Sequence, residues 1–325
     1  MTRDDRQKVL FVGGMPRSGS TLLDLMVGQL PGHCDIGELF YMWQAGPLRD
    51  QLCACGEPFS SCPFWQQVGQ EAFGGWEHVD VADVLALQRR VDSTPRLPLA
   101  LLGRAAPAHA ADVRRYLDVT VRLYRAIAAV SGASVVVDST KRPSTAYLLA
   151  RSPEVDLSVA LVVRDPRGVV NSWNRETPLP AGTGPREHIV RWPPHKTVRR
   201  WLTVNLMTEA LGRRVPLALV RYEDLIADPV PVMHRLLELS GTPVTPEATA
   251  FLTDEGLRTG ASHAAAGGRV RLRTGVMPLR LDEAWRRELP RGVRAATVGA
   301  TWPLMRRYGY ARPSSHWMSP RRRQG

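Results

Sequence analysis

The chain has 325 residues, enough for one large domain or two modest ones, and its 44% hydrophobic and 7% aromatic content suits a globular fold. Its formal net charge of +12 calls for anionic partners, which small anionic ligands and nucleic acid would both satisfy. There is no apolar run of 18 residues, no leader peptide, no zinc finger and no RNA-binding signature, so the expectation is a cytoplasmic protein with no stable membrane anchor and no nucleic-acid partner.

Val9 to Val12 reads as a buried strand, followed by a tight turn and a helix opening near Ser18. Gly14 and Gly19 have the spacing of a phosphate-binding loop, with Thr21 in its Ser/Thr position. Such a loop turns backbone N–H groups toward an anion, and the helix behind it adds its positive end. Ser20 stands where a nucleotide triphosphatase has its loop Lys, and the strong cation is Arg17, whose planar fork suits a terminal oxyanion group. Pro31 to Glu38 reads as a short extended segment ending at Glu38.

Residues 45–130 read as a helical insertion over the first crossover, packing on the sheet or helping to form an acceptor pocket. Its helices are expected at 83–91 and 112–130, on the spacing of apolar residues such as Val113, Leu117, Val121 and Tyr124. Cys53, Cys55 and Cys62 lack the paired C-x-x-C spacing of common zinc sites, and His33 or Cys34 would complete a metal site only if folding brings them close. Metal, disulfide and free thiols stay open, with no metal expected in the reaction.

Three more apolar runs follow: 134–137 ending in Asp138-Ser-Thr-Lys141, 157–163 ending in Arg164-Asp-Pro-Arg167, and 215–220 ending in Arg221-Tyr-Glu-Asp224. Continuous apolar runs separated by helical stretches predict an α/β fold of the P-loop type, a parallel sheet covered by helices on both faces. Polar clusters at the carboxyl ends of four strands form one site hypothesis. Arg164 and Ser172 lie across a turn and a helix, where a guanidinium and a hydroxyl can converge on one phosphate. Residues 178–196 are expected as a lid loop and 312–325 as a basic disordered tail.

Pro16-Arg17-Ser18-Gly19-Ser20-Thr21-Leu22 resembles the 5′-phosphosulfate loop of sulfotransferases that use 3′-phosphoadenosine 5′-phosphosulfate (PAPS), and Arg164 with Ser172 is similar to their 3′-phosphate motif. The resemblance covers about 8–38 and 134–310 and implies one sulfotransferase domain over 1–311. It implies Arg17, Ser18, Gly19, Ser20, Thr21, Leu22, Arg164 and Ser172 as donor contacts, Tyr222 beside the adenine, and a late donor-covering loop with Gly267, Gly268 and Arg269 or Arg271. Glu38 occupies the place of the Glu base in tyrosylprotein- and heparan-type members, unlike the His of cytosolic members, and Lys141 sits where relatives place a Lys near the leaving group. The implied reaction moves a sulfuryl group to a hydroxyl on a small metabolite, sugar or lipid. His33, His188, His195 and His263 are rival bases. The competing readings are a P-loop kinase or nucleotide triphosphatase, with Asp138 as its magnesium carboxylate, and a non-catalytic anion-binding module.

Overall fold

The structure is a computed structural model that describes residues 6–97, 107–175 and 190–310. Most of the expected lid and the whole expected tail lie outside the described residues.

Five strands form a parallel sheet in the order β2-β3-β1-β4-β5: β1 is Gln7–Gly14, β2 His33–Asp35, β3 Val135–Asp138, β4 Val155–Val163 and β5 Leu217–Arg221. β1 lies at the centre, pairing β3 from Lys8↔Val135 and β4 from Gln7↔Val155 to Gly14↔Val162. Side chains alternate across it, as the two-residue period of a strand requires. Val9 and Phe11 join one apolar cluster, whereas Leu10 and Val12 join another on the opposite face. Burial on both faces explains why these strands appear in sequence as unbroken apolar runs.

The face carrying Leu10 and Val12 is covered by α1 (Ser20–Val27) and a helix at Pro229–Ser240. The other face carries the insertion, in which α2 is Leu39–Ala45, α3 Pro63–Phe73, α4 Val81–Val91 and α5 Pro107–Ser131. The insertion connects β2 to β3. Asp80 caps α4 by accepting from the Asp83 N–H. The longest helix, α5, is tied to the sheet by Tyr124, whose hydroxyl donates to Asp138 at 2.7 Å.

Beyond β4, α6 (Pro166–Asn174) leads away from the sheet, and α7 (Pro194–Leu211) returns to it. Trp201 of α7 is fully buried and donates from its indole N–H to the Arg164 carbonyl, fixing the end of β4 from behind. A small antiparallel sheet, β6 (Leu252–Thr253), β7 (Gly256–Thr259) and β8 (Gly275–Met277), was not foreseen. Its β7–β8 connection carries residues 260–274 back across the carboxyl ends of the main sheet. No helix among the described residues is long and apolar enough to cross a membrane.

Candidate active site

The loop after β1 is shaped by close approaches that admit no side chain at two glycines. Gly14 has φ 122°, and a Cβ there would fall 2.2 Å from the Val162 carbonyl oxygen. Gly19 has φ 91°, and a Cβ there would fall 2.5 Å from the Tyr222 ring. Both positions need glycine for conformation and for space. Between them Arg17 also has a positive φ, 78°, a costly state for a side-chain-bearing residue and one that tends to be kept at binding sites. α1 starts at Ser20, two residues later than expected, with no acidic residue in its first turn to neutralise its positive end. The buried Ser18 hydroxyl has no hydrogen-bond partner.

Arg164 approaches this loop from β4. Its Nη1 donates to the Arg17 carbonyl at 3.2 Å, so the two arginines anticipated from sequence share one corner of the molecule. The Arg164 guanidinium lies 4.5 Å over the Tyr222 ring and pairs at 3.0 Å with Asp282, which also pairs with Arg175 at 3.7 Å. Partial burial pushes Asp282 upward, but Arg164 and its other donors hold its carboxyl below the usual range. Arg17 has no carboxylate partner among the described residues. Burial, and then repulsion from Arg164, lower its affinity for its own proton. Trp173 supports it with a ring 5.6 Å from the guanidinium and an indole N–H donated to Pro16.

Glu38 sits just before α2, and its Oε1 is 2.8 Å from Lys141 Nζ in a pair whose side chains are 16% and 6% exposed. Lys141 shares with Arg17 the rare positive φ, at 63°. The nearby Asp138 is placed quite differently. Its carboxylate accepts from Tyr124, from both the N–H and hydroxyl of Thr140, and from the Leu39 N–H, and it is wholly buried. Burial pushes this carboxyl upward against those hydrogen bonds. A magnesium carboxylate needs a free oxygen facing the ligand, and Asp138 has none.

The chain at 262–268 closes the site along β2. Ala265 N–H donates to Ile36, Glu38 N–H donates to Ala266, and Ser262 Oγ donates to Asp35 at 2.7 Å. Gly267 and Gly268 thereby lie against Glu38 and Thr21, where a Cβ on Gly268 would come within 2.8 Å of Thr21 Oγ1.

These segments enclose a cavity of about 1060 Å³. The β1 loop contributes Arg17 and Gly19 through Leu22, and Glu38, Lys141, Arg164, Ser172, Tyr222, Gly267 and Gly268 also line it as foreseen, whereas the expected contact Ser18 is buried and does not. Arg273 and Arg280, which the sequence did not single out, also line it. Five basic side chains against one acidic one make the cavity a receptor for an anion. Arg271 is not among them. Its buried guanidinium donates to the Ala264 and Leu52 carbonyls, so its expected donor contact is replaced by a link between two loops. The Arg269 side chain lies outside what the structure describes, as does His188. None of the other rival histidines lines the cavity. His33 is buried against Pro31 and Ser240, His195 is exposed, and His263 lies among the cysteines. Among the described residues, none of the insertion beyond α2 lines the cavity.

The family model described as "Sulfotransferase family" matches residues 10–246. The chain belongs to the sulfotransferase family. This sulfotransferase is 28% identical over 179 residues to human carbohydrate sulfotransferase 3, a match covering 50% of this chain and 35% of that relative. It thus spans about a third of the relative's length. Among solved structures it is similar to the sulfotransferase domain of the Synechococcus PCC 7002 olefin synthase, with TM-score 0.51 and 21% identity over 95% of this chain and 97% of that one. The sulfotransferase domain from the curacin biosynthetic pathway gives TM-score 0.47 and 16% identity over 95% and 99%. The first of these likenesses supports the α/β fold with its central parallel sheet.

Proposed function

We propose that this sulfotransferase moves a sulfuryl group from PAPS to a hydroxyl of a small metabolite, sugar or lipid, with Glu38 as general base. The observation that carries the reading is the convergence of Arg17 and Arg164 on one cavity that the Glu38–Lys141 pair also lines. The β1 loop and Arg17 grip the 5′-phosphosulfate end, and Arg164 with Ser172 grips the 3′-phosphate. Tyr222, against both Gly19 and Arg164, borders the nucleoside between them.

In the reaction the acceptor oxygen forms a bond to sulfur while the bridging S–O bond breaks in line. The electron pair leaves with the 5′-phosphate, and the hydroxyl proton passes to Glu38. Charge develops on the departing phosphate, where Arg17 and the Lys141 ammonium stabilise it. In the resting site the ammonium is held by Glu38; donor phosphate draws it away and frees a carboxylate oxygen for the acceptor. The name of the human relative favours a sugar among these acceptors. A kinase reading is weaker because Ser20 replaces the loop Lys and the Asp138 oxygens are all occupied.

Thermal shift tests the donor. 3′-Phosphoadenosine 5′-phosphate (PAP) without magnesium raises the melting temperature, and ATP with magnesium does not; the reverse order returns the protein to the kinases. Glu38→Gln lowers turnover of PAPS by about 10²–10⁴-fold while keeping the shift with PAP. Near-normal turnover in that variant, with loss in a His→Ala variant, moves the base elsewhere.

A further inference from the structure

Away from the cavity, three cysteines and one histidine converge without any role in the reaction proposed above. Cys53, Cys55, Cys62 and His263 place their ligand atoms within 4.8 Å of one another. The His263 Nδ1 is 3.7 Å from the Cys53 sulfur and 3.4 Å from that of Cys62, and the sulfurs of Cys55 and Cys62 are 3.6 Å apart. Tetrahedral zinc, with bonds of about 2.3 Å to sulfur and about 2.0–2.1 Å to nitrogen, sets edges of about 3.8 Å between sulfurs and about 3.6 Å from sulfur to nitrogen. These three separations lie within about 0.2 Å of those edges, and the 4.8 Å bound on the whole set leaves about 1 Å for an ion to draw in. They are far too long for a disulfide, whose sulfurs stand about 2.0 Å apart.

We propose that Cys53, Cys55, Cys62 and His263 bind one zinc ion in a closed, structural site. The sequence hid it because the fourth ligand is neither His33 nor Cys34 but a histidine some 200 positions away, as the separation of 201 from Cys62 records. Supporting contacts prepare the ligands. The cysteine loop turns on itself, with Cys53 N–H donating to Glu57 and Gly56 N–H to Cys53. Phe64 stacks on the His263 ring at 4.6 Å and 12°, and the Trp65 indole donates to the His263 carbonyl at 2.8 Å. Three sulfurs and one imidazole select zinc over oxygen-seeking cations such as magnesium or calcium.

On binding, three thiols release their protons and the neutral imidazole adds none, so Zn²⁺ with three thiolates carries one net negative charge. Arg271 stands ready to balance it, bridging the Leu52 and Ala264 carbonyls on the two strands of chain that bring the ligands together. The zinc would thus fasten the cysteine loop to the segment that continues into Gly267 and Gly268. It is a fastening device, distinct from the reaction, and it holds whatever ligand the cavity takes.

The test is zinc content of the full chain, purified under reducing conditions without chelator and then given zinc(II) at micromolar excess. About one zinc per chain is expected, and X-ray absorption should show three sulfurs at about 2.3 Å and one nitrogen at about 2.0–2.1 Å. Cys34→Ser keeps the metal, whereas Cys62→Ala and His263→Ala lose it. Stripping the wild-type protein with a chelator lowers its melting temperature, and zinc restores it. Substoichiometric zinc after that addition overturns the proposal, as does a Cys55–Cys62 disulfide found by mass spectrometry. Should the variants fail to fold, the wild-type stoichiometry and absorption data decide alone.

Discussion

The loops after β1 and β4 both bring a guanidinium to the same cavity, yet they are built in opposite ways. The β1 loop works through its backbone: two glycines with no room for a Cβ, an arginine held at φ 78°, and a helix with no acid in its first turn. The β4 end works through side chains, with Arg164 stacked on Tyr222, paired with Asp282 and steadied from behind by Trp201. A grip made of backbone cannot be relaxed without moving the sheet, which suits the end where the proposed reaction changes bonds. One made of side chains can exchange partners, Asp282 for a phosphate, which suits recognition.

The sharpest test of this division is Arg17→Ala, together with Lys141→Ala. Each should lower kcat by about 100-fold or more while PAP still shifts the melting temperature, as loss of a group acting on developing charge requires. An effect confined to PAP affinity would erase the distinction between the loops. Arg164→Ala comes next. It removes charge-assisted hydrogen bonds of about 1.5–3 kcal/mol, so PAP affinity by calorimetry should fall about 10–100-fold while kcat at saturating PAPS holds. Asp282→Asn should act in the other direction, because in the proposed clamp a phosphate would have to displace the carboxylate from Arg164. PAP should bind a few-fold tighter, and weaker binding would make Asp282 part of the clamp.

A smaller effect lies beneath the shared wall along β2. Burial pushes the Asp35 carboxyl from its ordinary 3.8 up to about 6, against the Ser262 hydrogen bond, and Asp24 close by is pushed up as well. The folded chain therefore holds a proton that the unfolded chain has released. The stability tied to that proton is full below about pH 4 and is lost as pH rises through about 6. Asp35→Asn should flatten the urea midpoint between those values and gain about 1–3 kcal/mol at pH 7, at about 1.4 kcal/mol per pKa unit.

Some parts of this molecule could be read directly from the chain. β1, β3, β4 and β5 declare themselves as apolar runs because both faces of the sheet are covered, and the β1 loop declares itself because its geometry is local. β2 lies inside the segment 31–38 that reads as extended, while β6–β8, of two to four residues each and without an apolar run, show no period. The exchange of Arg271 for Arg273 and Arg280 was equally hidden. A single 3₁₀ turn at Arg269–Leu272 decides which arginine faces the cavity and which turns back to the Ala264 carbonyl. His263 looked like a rival base because nothing nearby in sequence announces the cysteines it meets, and Asp138 looked available until Tyr124 arrived from the insertion.

Residues 262–266 hang from the edge of β2 on one side and from the cysteine loop on the other, through Ala54 N–H to Ala264 and the Trp65 indole to His263. That flank of the cavity is moored twice, so swinging it aside to release the proposed nucleotide would break both sets of bonds. Traffic is left to the stretch that follows, where Arg273 and Arg280 line the cavity and stand exposed. The tempo of the enzyme, if set by product departure, would be written in that stretch rather than in the residues that make and break bonds.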